Sequence, residues 1–252
     1  MAALARVRAP EKHAQALGAP LAPCWSLANP RQSIMNLFVS ILYVIVLYGA
    51  FFAGMMHLRD QPASIVSHTG SNRILRRPPW LTLILMAGIG IPTALQFLFP
   101  TIVPLLQRDA AAFSAGDWWR IITPLFVQDG GISGTTFNLV SLLLVGIVAE
   151  QVWNRDSMLI LFFAGGVIGE LVALAWQPIG AGNSVANFSL AGGLVVACLV
   201  KRSSRSTQLA ALFALGAAVV LIALKNIHGA AAMAGLFLAL LLSRLRRTRE
   251  QS

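Results

Sequence analysis

The chain has 252 residues, of which 57% are hydrophobic and only 11% are charged. Soluble domains carry about 25% charged residues, so this composition excludes a soluble enzyme and a nucleic-acid-binding module and indicates a multi-pass membrane protein. The formal net charge is +10, and its meaning depends on which side of a membrane the positive residues occupy. Two cysteines, Cys24 and Cys198, predict neither a disulfide framework nor a metal site.

The first 35 residues form a basic tail that is rich in alanine and proline and has no hydrophobic periodicity. It has the composition of a disordered extension or of a leader-like segment. A third interpretation is an over-long start assignment, with translation beginning at Met35. We favour the third, because the tail carries the positive charges that conflict with the topology predicted below.

Seven apolar stretches follow, and each approaches the roughly 20 residues that a helix needs to cross a bilayer core. Backbone groups in lipid must be hydrogen-bonded internally, so these stretches are predicted to be helices and the fold class to be all-α. Pro92, Pro100 and Pro104 are expected to kink or end the second stretch. The stretches are residues 36–57, 80–106, 135–153, 157–176, 185–200, 207–224 and 227–242.

The positive residues predict the orientation of the chain. With the C-terminus in the cytoplasm, 12 of the 19 Lys and Arg residues lie in cytoplasmic segments, and four of the other seven lie in the tail. This asymmetry predicts a cytoplasmic C-terminus. The expected location is a bacterial plasma membrane. The predicted organisation is a tail (1–35), an extra transmembrane helix (36–57), a cytoplasmic loop (58–79), a six-helix membrane domain (80–243) and a basic cytoplasmic tail (244–252).

Polar residues within the apolar stretches are few and therefore informative. Ser184 and His228 each open a helix at the same predicted end of the bundle. The 17 residues from Ser184 to Val200 span about 25 Å of helix, less than the bilayer core, so the serine is expected to be recessed. Gly182 allows a sharp turn just before it.

The two helices also carry small residues on the matching faces. Gly192 follows Ser184 by eight residues, and Gly235 follows His228 by seven, which predicts close packing that brings imidazole to hydroxyl. A histidine that acts as general base to a serine nucleophile is a workable dyad. The alternative is a plain interhelical hydrogen bond, which is the more common role of such residues in membranes. Glu170, within the fourth stretch, is interpreted as a buried residue that hydrogen-bonds to a neighbouring helix, and the alternative is a functional role near the catalytic cavity.

The order and spacing of several motifs resemble the rhomboid family of intramembrane serine proteases over about residues 80–242. The motifs are Trp119-Arg120, Asn138, Gly182-Asn183-Ser184 and His228 with Gly235. The resemblance implies a six-helix core with one extra N-terminal helix, transmembrane protein substrates, and no metal or cofactor. It makes Ser184 the nucleophile and His228 the general base, and it makes Asn138 and the Ser184 backbone N–H the oxyanion donors. By the same resemblance, Phe188 is the aromatic ring that packs against the catalytic histidine. Trp119 and Arg120 are a structural pair in the first loop, and Glu150 is the acidic residue at the end of the second core helix.

Two positions depart from the family pattern. Val185 follows the serine where the family has glycine, and Gly134 lies four residues before Asn138 where the family usually has a histidine. A β-branched side chain at the first position is expected to crowd the substrate, and one lost oxyanion donor costs about 10²–10³ in rate. The alternative function is therefore a weak or inactive pseudoprotease that binds membrane-protein clients. A transporter is a third interpretation, disfavoured because the sequence shows no internal repeat.

Overall fold

The computed structural model describes residues 30–61, 77–200 and 203–251. The chain divides into two compact units, Met1–Leu37 and Phe38–Ser252. The described part of the first unit is the beginning of helix α1, and all other described elements belong to the second. The predictions for residues 1–29 and for most of the loop 58–79 lie outside the described residues.

The described residues form ten α-helices and two very short strands. They are α1 (Pro30–Asp60), α2 (Trp80–Leu98), α3 (Ile102–Leu106), β1 (Arg108–Asp109), α4 (Ala110–Ser114), α5 (Gly131–Val152), α6 (Arg155–Leu159), α7 (Gly165–Trp176), β2 (Ile179–Gly180), α8 (Ser184–Val200), α9 (Arg205–Ala223) and α10 (Ile227–Gln251). Two 3₁₀ turns, Trp118–Ile121 and Thr123–Phe126, lie between α4 and α5, and a π-helical turn, Ile160–Ala164, joins α6 to α7.

The all-α, multi-pass fold predicted from the composition is confirmed. Six helical spans in the described part of the chain are long and apolar enough to cross a membrane, and α8, with 17 residues, is a shorter apolar helix. The predicted second stretch ends early, since α2 stops at Leu98 and the short α3 follows Pro100. Pro92 lies inside α2 without ending it. Helix α1 begins before Met35, and α10 continues through the predicted C-terminal tail to Gln251.

Glu150, at the end of α5, accepts hydrogen bonds from the N–H groups at the start of α2. The first turn of a helix has N–H groups with no partner within the helix. The two carboxylate oxygens of Glu150 accept hydrogen bonds from Leu81 N at 3.0 Å, from Thr82 N at 2.8 Å and from the Thr82 hydroxyl at 2.9 Å. Because Glu150 is only 2% exposed, this carboxylate fixes the junction between the two helices.

Helix α8 forms the centre of the bundle, in contact with α5, α7, α9 and α10. Its residues from Val185 to Cys198 are all buried. Helices α8 and α10 approach closely at two glycines. A Cβ on Gly192 would overlap Ala232 O, and a Cβ on Gly235 would overlap Ser189 O. The small residues predicted from the sequence therefore let the two backbones meet, and this places the first turns of α8 and α10 side by side.

Ser189 in the middle of α8 also binds the π-helical turn. A π-turn leaves a carbonyl outside the regular i to i−4 ladder. The Ser189 hydroxyl donates to Leu161 O in that turn at 2.5 Å. Gly165, just after the turn, leaves the space that the Ser189 hydroxyl occupies. One serine thus links α8 to the α6–α7 span, and its carbonyl meets α10.

Candidate active site

Ser184 is the first residue of α8, and the loop before it is held at several points. Gly182 has a φ of +148°, a conformation that residues with a side chain rarely adopt. Its N–H donates to Pro124 O at 2.9 Å, and the N–H of Ala181 donates to Asp129 at 2.8 Å. Strand β2 pairs with β1 just upstream. The entry to α8, and with it the serine hydroxyl, is therefore fixed by contacts with the loop that precedes α5.

His228 is the second residue of α10 and faces Ser184. The Nε2 atom of His228 lies 2.9 Å from the Ser184 hydroxyl oxygen, within hydrogen-bond distance. The ring of Phe188, one turn along α8, contacts the imidazole with centroids 4.7 Å apart. The structure thus brings together three residues that the sequence analysis singled out, in the arrangement that a serine nucleophile and a general base require.

Two partners of His228 were missed in the sequence. The side-chain oxygen of Asn226 lies 2.9 Å from His228 Nδ1, and the Asn226 amide nitrogen donates to the Tyr43 hydroxyl at 2.8 Å. The Tyr43 ring contacts the imidazole at 4.5 Å between centroids. An asparagine immediately before a helix start is a capping signal that could have drawn attention to Asn226. Tyr43, on α1, gives no such signal.

Asn138 belongs to a closed ring of amide hydrogen bonds beside the serine loop. Its Nδ2 donates to Gln128 Oε1 at 2.8 Å, and Gln128 Nε2 donates to Asn183 Oδ1 at 2.8 Å. Asn183 donates to Asn187 at 3.2 Å, and Asn187 donates back to the carbonyl of Asn138 at 2.8 Å. Because the backbone carbonyl of Asn138 can only accept, Asn187 must donate through its Nδ2, and the chain of bonds then fixes the orientation of the other three amides in turn. It uses one of the two N–H groups of Asn138 Nδ2 and leaves the other for a ligand.

Gly182 keeps open the space between Asn138 and the serine. A Cβ at Gly182 would lie 3.1 Å from Asn138 Nδ2 and 3.4 Å from the Ser184 hydroxyl oxygen. Asn138 and Ser184 are therefore close enough to act on one small group. Gln128, which orients Asn138, was not among the predicted residues, and the sequence carries no local pattern that marks it.

A cavity of about 490 Å³ opens onto the Ser184–His228 pair. Its polar lining includes a buried ion pair between Arg108, which is 3% exposed, and Glu170, which is 1% exposed. Arg108 also donates to Gln177 O at 2.8 Å. Glu170 was predicted to make a buried hydrogen bond with a neighbouring helix, and its partner is instead the arginine of β1. The other lining residues include Tyr43, Asp129, Asn138, Gly180, Gly182 and Val185.

The two departures from the family pattern have different surroundings. Val185 is 2% exposed, and its side chain packs where a Cβ on Gly169 of α7 would lie. A Cβ added at Gly134 would meet nothing within 4 Å. The valine is thus accommodated by a glycine on the neighbouring helix, whereas the missing histidine leaves open space.

The remaining predicted residues lie outside the residues that line the cavity. Arg120 donates to the carbonyls of Pro104 and Gln107, each at 3.0 Å, and to Asp117 at 3.0 Å. Trp119 is 40% exposed. Arg120 therefore links separate parts of the loop between α2 and α5, and Glu150 lies at the α2–α5 junction described above.

These features define the class, a multi-pass helical membrane protein with a serine and a histidine paired at the starts of two central helices. The family model for the Rhomboid domain matches residues 115–249, more than half of the chain. The chain therefore belongs to the rhomboid family. Rhomboid protease GluP of Bacillus subtilis (strain 168) is 29% identical over 103 residues, which are 40% of this chain and 20% of that protein.

A second similar protein is the Rhomboid-like protease 3 of Toxoplasma gondii, which is 28% identical over 117 residues, or 46% of this chain and 44% of that protein. The chain thus spans between a fifth and a little under half of the length of these relatives. Helices α1 and α2 lie before the region that the family model matches.

Proposed function

We propose that the chain is an intramembrane serine endopeptidase that cleaves transmembrane protein substrates, with Ser184 as nucleophile and His228 as general base. The observation that carries the proposal is the 2.9 Å separation between the Ser184 hydroxyl oxygen and His228 Nε2. A second support is the cavity of about 490 Å³ that opens onto this pair. A peptide carbonyl entering the cavity can approach the hydroxyl while the imidazole is already within reach of its proton.

In the first half of the reaction, the Ser184 oxygen attacks the scissile carbonyl carbon and its proton passes to His228 Nε2. The tetrahedral intermediate collapses with cleavage of the C–N bond, and the imidazolium gives its proton to the departing amine. The product is an ester between Ser184 and the acyl half of the substrate. In the second half, water attacks this ester with His228 again as base, which releases the carboxylate and regenerates the serine.

The oxyanion of both intermediates is stabilised by the backbone N–H of Ser184 and by the Nδ2 group of Asn138. The N–H groups at the start of α8 point towards this position and supply a positive partial charge. Asn138 is supported as a donor because the ring of amides orients its Nδ2 and leaves one hydrogen unused. A donor that is already oriented needs no rearrangement as the charge develops.

The proposed substrates are single membrane-spanning segments, cut near the surface opposite the cytoplasm. His228 lies at the start of α10, and Arg244 and Arg246 lie towards its far end. Arg205 begins α9, just after the end of α8 that is opposite Ser184. Positive residues favour the cytoplasmic side, so the pair lies towards the outer face and the C-terminus lies inside. We propose a bacterial plasma membrane as the location.

The second candidate is a rhomboid-like pseudoprotease that binds membrane-protein clients without cutting them. It is favoured by the open space at Gly134, where the family usually has a histidine, and by Val185, which lines the cavity. Loss of one oxyanion donor lowers the rate by about 10²–10³. Client binding would survive such a loss because it does not depend on transition-state stabilisation.

A fluorophosphonate probe separates the two candidates. Purified chain in proteoliposomes is treated with the probe, and the labelled residue is identified by mass spectrometry. Labelling of the wild type that disappears in Ser184→Ala and His228→Ala, but persists in the exposed control Ser114→Ala, is the expected result. Labelling that survives in Ser184→Ala contradicts the dyad.

Cleavage of a reconstituted transmembrane substrate is the second readout. A wild type that resists the probe and cuts nothing, yet cross-links to the substrate, establishes the pseudoprotease. Gain of activity in Val185→Gly identifies a protease hindered at that position.

A further inference from the structure

The side of the His228 ring that faces away from Ser184 is held by a single buried asparagine. The side-chain oxygen of Asn226, a residue only 7% exposed, lies 3.0 Å from the His228 backbone nitrogen and 2.9 Å from His228 Nδ1. Both nitrogens thus contact the same oxygen. This shared contact determines which of the two ring nitrogens carries the hydrogen.

A backbone N–H is always a donor, so the Asn226 atom that it meets must be the oxygen and not the amide nitrogen. That oxygen is an acceptor only, and the Nδ1 atom next to it must therefore carry a hydrogen. In a neutral imidazole the other nitrogen is then unprotonated. The result is a bare Nε2 lone pair directed at the Ser184 hydroxyl, which is the state a general base needs.

Tyr43 holds Asn226 in this orientation from α1. The Asn226 amide nitrogen donates to the Tyr43 hydroxyl oxygen at 2.8 Å. The Tyr43 ring also contacts the imidazole at 4.5 Å and the Phe188 ring at 5.3 Å between centroids. Three rings in mutual contact limit rotation of the imidazole about its side-chain bonds.

We infer that Asn226 and Tyr43 are positioning residues, which hold His228 in the Nδ1–H form and aim its Nε2 at Ser184. The inference rests on the proposed function and deepens it. It also makes α1, which lies outside the region matched by the family model, a part of the active site.

Asn226 also has an ordinary structural role, since its side chain caps the start of α10. Asn226→Ser retains a capping oxygen, but the side chain is too short to reach the imidazole. Asn226→Asp keeps both the cap and the acceptor for Nδ1, and its second oxygen accepts from the Tyr43 hydroxyl. A role limited to capping predicts that the two variants behave alike. A positioning role predicts that only the aspartate is active.

Cleavage kinetics in proteoliposomes measure this difference. We expect Asn226→Ser to lower kcat about tenfold with KM unchanged. Without the hydrogen bond to Nδ1, the His228 ring also populates the form that carries its hydrogen on Nε2, and this form cannot accept the serine proton. Asn226→Asp should restore most of the rate. Equal kcat in the wild type and the serine variant, with equal thermal stability, would overturn the inference.

Tyr43→Phe tests the contribution of α1. The ring contacts are kept and the hydroxyl is lost, so we expect kcat to fall about threefold. The matched control is Tyr48→Phe, the same change on the same helix at a ring that contacts Phe137 instead; it should leave kcat unchanged. An equal effect of the two changes contradicts a specific role of Tyr43.

The tautomer is observable without any activity. In protein labelled with ¹⁵N-histidine, NMR at a pH where the ring is neutral distinguishes a protonated from an unprotonated ring nitrogen. The signal of His228, one of four histidines, is identified from its absence in His228→Ala. A protonated Nδ1 that becomes a mixture in Asn226→Ser supports the inference, even if the wild type cuts nothing and the proposed function fails. A protonated Nε2 in the wild type refutes it, even if the protease is active.

Discussion

Gly235→Ala tests whether the contact between α8 and α10 sets the geometry of the Ser184–His228 pair. A Cβ on Gly235 would lie 1.9 Å from the carbonyl oxygen of Ser189, on the opposing backbone. An ordinary van der Waals contact is at least about 3.4 Å, so the helices must move apart by about 1.5 Å. A shift of that size along the line between the pair would lengthen the 2.9 Å Ser184–His228 separation beyond hydrogen-bond distance.

Two effects of known size follow from this shift. Overpacking of a well-packed core costs about 1–3 kcal/mol of stability, and a misplacement near 1 Å costs about 10² in rate. The matched control is Gly216→Ala on α9, where an added Cβ meets nothing within 4 Å. There alanine is expected to stabilise the helix by about 0.5–1 kcal/mol and to leave the rate unchanged.

Unfolding in mixed detergent micelles measures the stability of each variant, and fluorophosphonate labelling measures the reactivity of the serine. We expect Gly235→Ala to be less stable than the wild type and to label about 10² times more slowly, and Gly216→Ala to change neither property adversely. If the two alanine variants were equally stable and equally reactive, the close approach of α8 and α10 could not be what aligns the pair.

Three further changes test other parts of the fold. Glu150→Gln removes a charged acceptor from the first turn of α2, and it should cost about 1–3 kcal/mol in detergent unfolding, while the exposed Asp156→Asn costs less than about 0.5 kcal/mol. Gly182→Ala puts a Cβ beside Asn138 at a φ of +148°, so labelling should slow by about 10² or more in a protein that still folds. Lys225 has a φ of +52°, and Lys225→Gly should stabilise the chain by about 1 kcal/mol, whereas Lys225→Ala should not.

Features that depend on short stretches of sequence were predicted correctly. Hydropathy alone located the membrane helices, because each span must be apolar along its whole length whatever its neighbours are. The positions of Ser184 and His228 at one end of the bundle followed from counting spans and reading the charges between them. The helix ends were less accurate. Helix α2 stops at Leu98, just before Pro100, which is one of the prolines expected to end the stretch, whereas hydropathy alone continued the stretch to residue 106.

Polar partners that are distant in sequence could not be predicted. Tyr43 and Asn226 are 183 residues apart, and Gln128 and Asn183 are 55 apart. In each case either residue alone has many equally plausible roles, and only the packing of the helices selects one. The Arg108–Glu170 pair illustrates the same limit, since the glutamate was noticed and its partner was not.

The valine after the serine shows how a partner on another helix changes the meaning of a motif position. Judged along the chain, Val185 is a β-branched side chain beside the nucleophile, and crowding of the substrate is the expected consequence. Its side chain, however, fills the space left by Gly169 on α7, where an added Cβ would also lie 2.9 Å from Ala231. Gly169 on the neighbouring helix thus provides room for the valine side chain, which the glycine of the family pattern does not have. The effect of this departure on catalysis therefore depends on the pair Val185 and Gly169 together, and neither position can be interpreted alone.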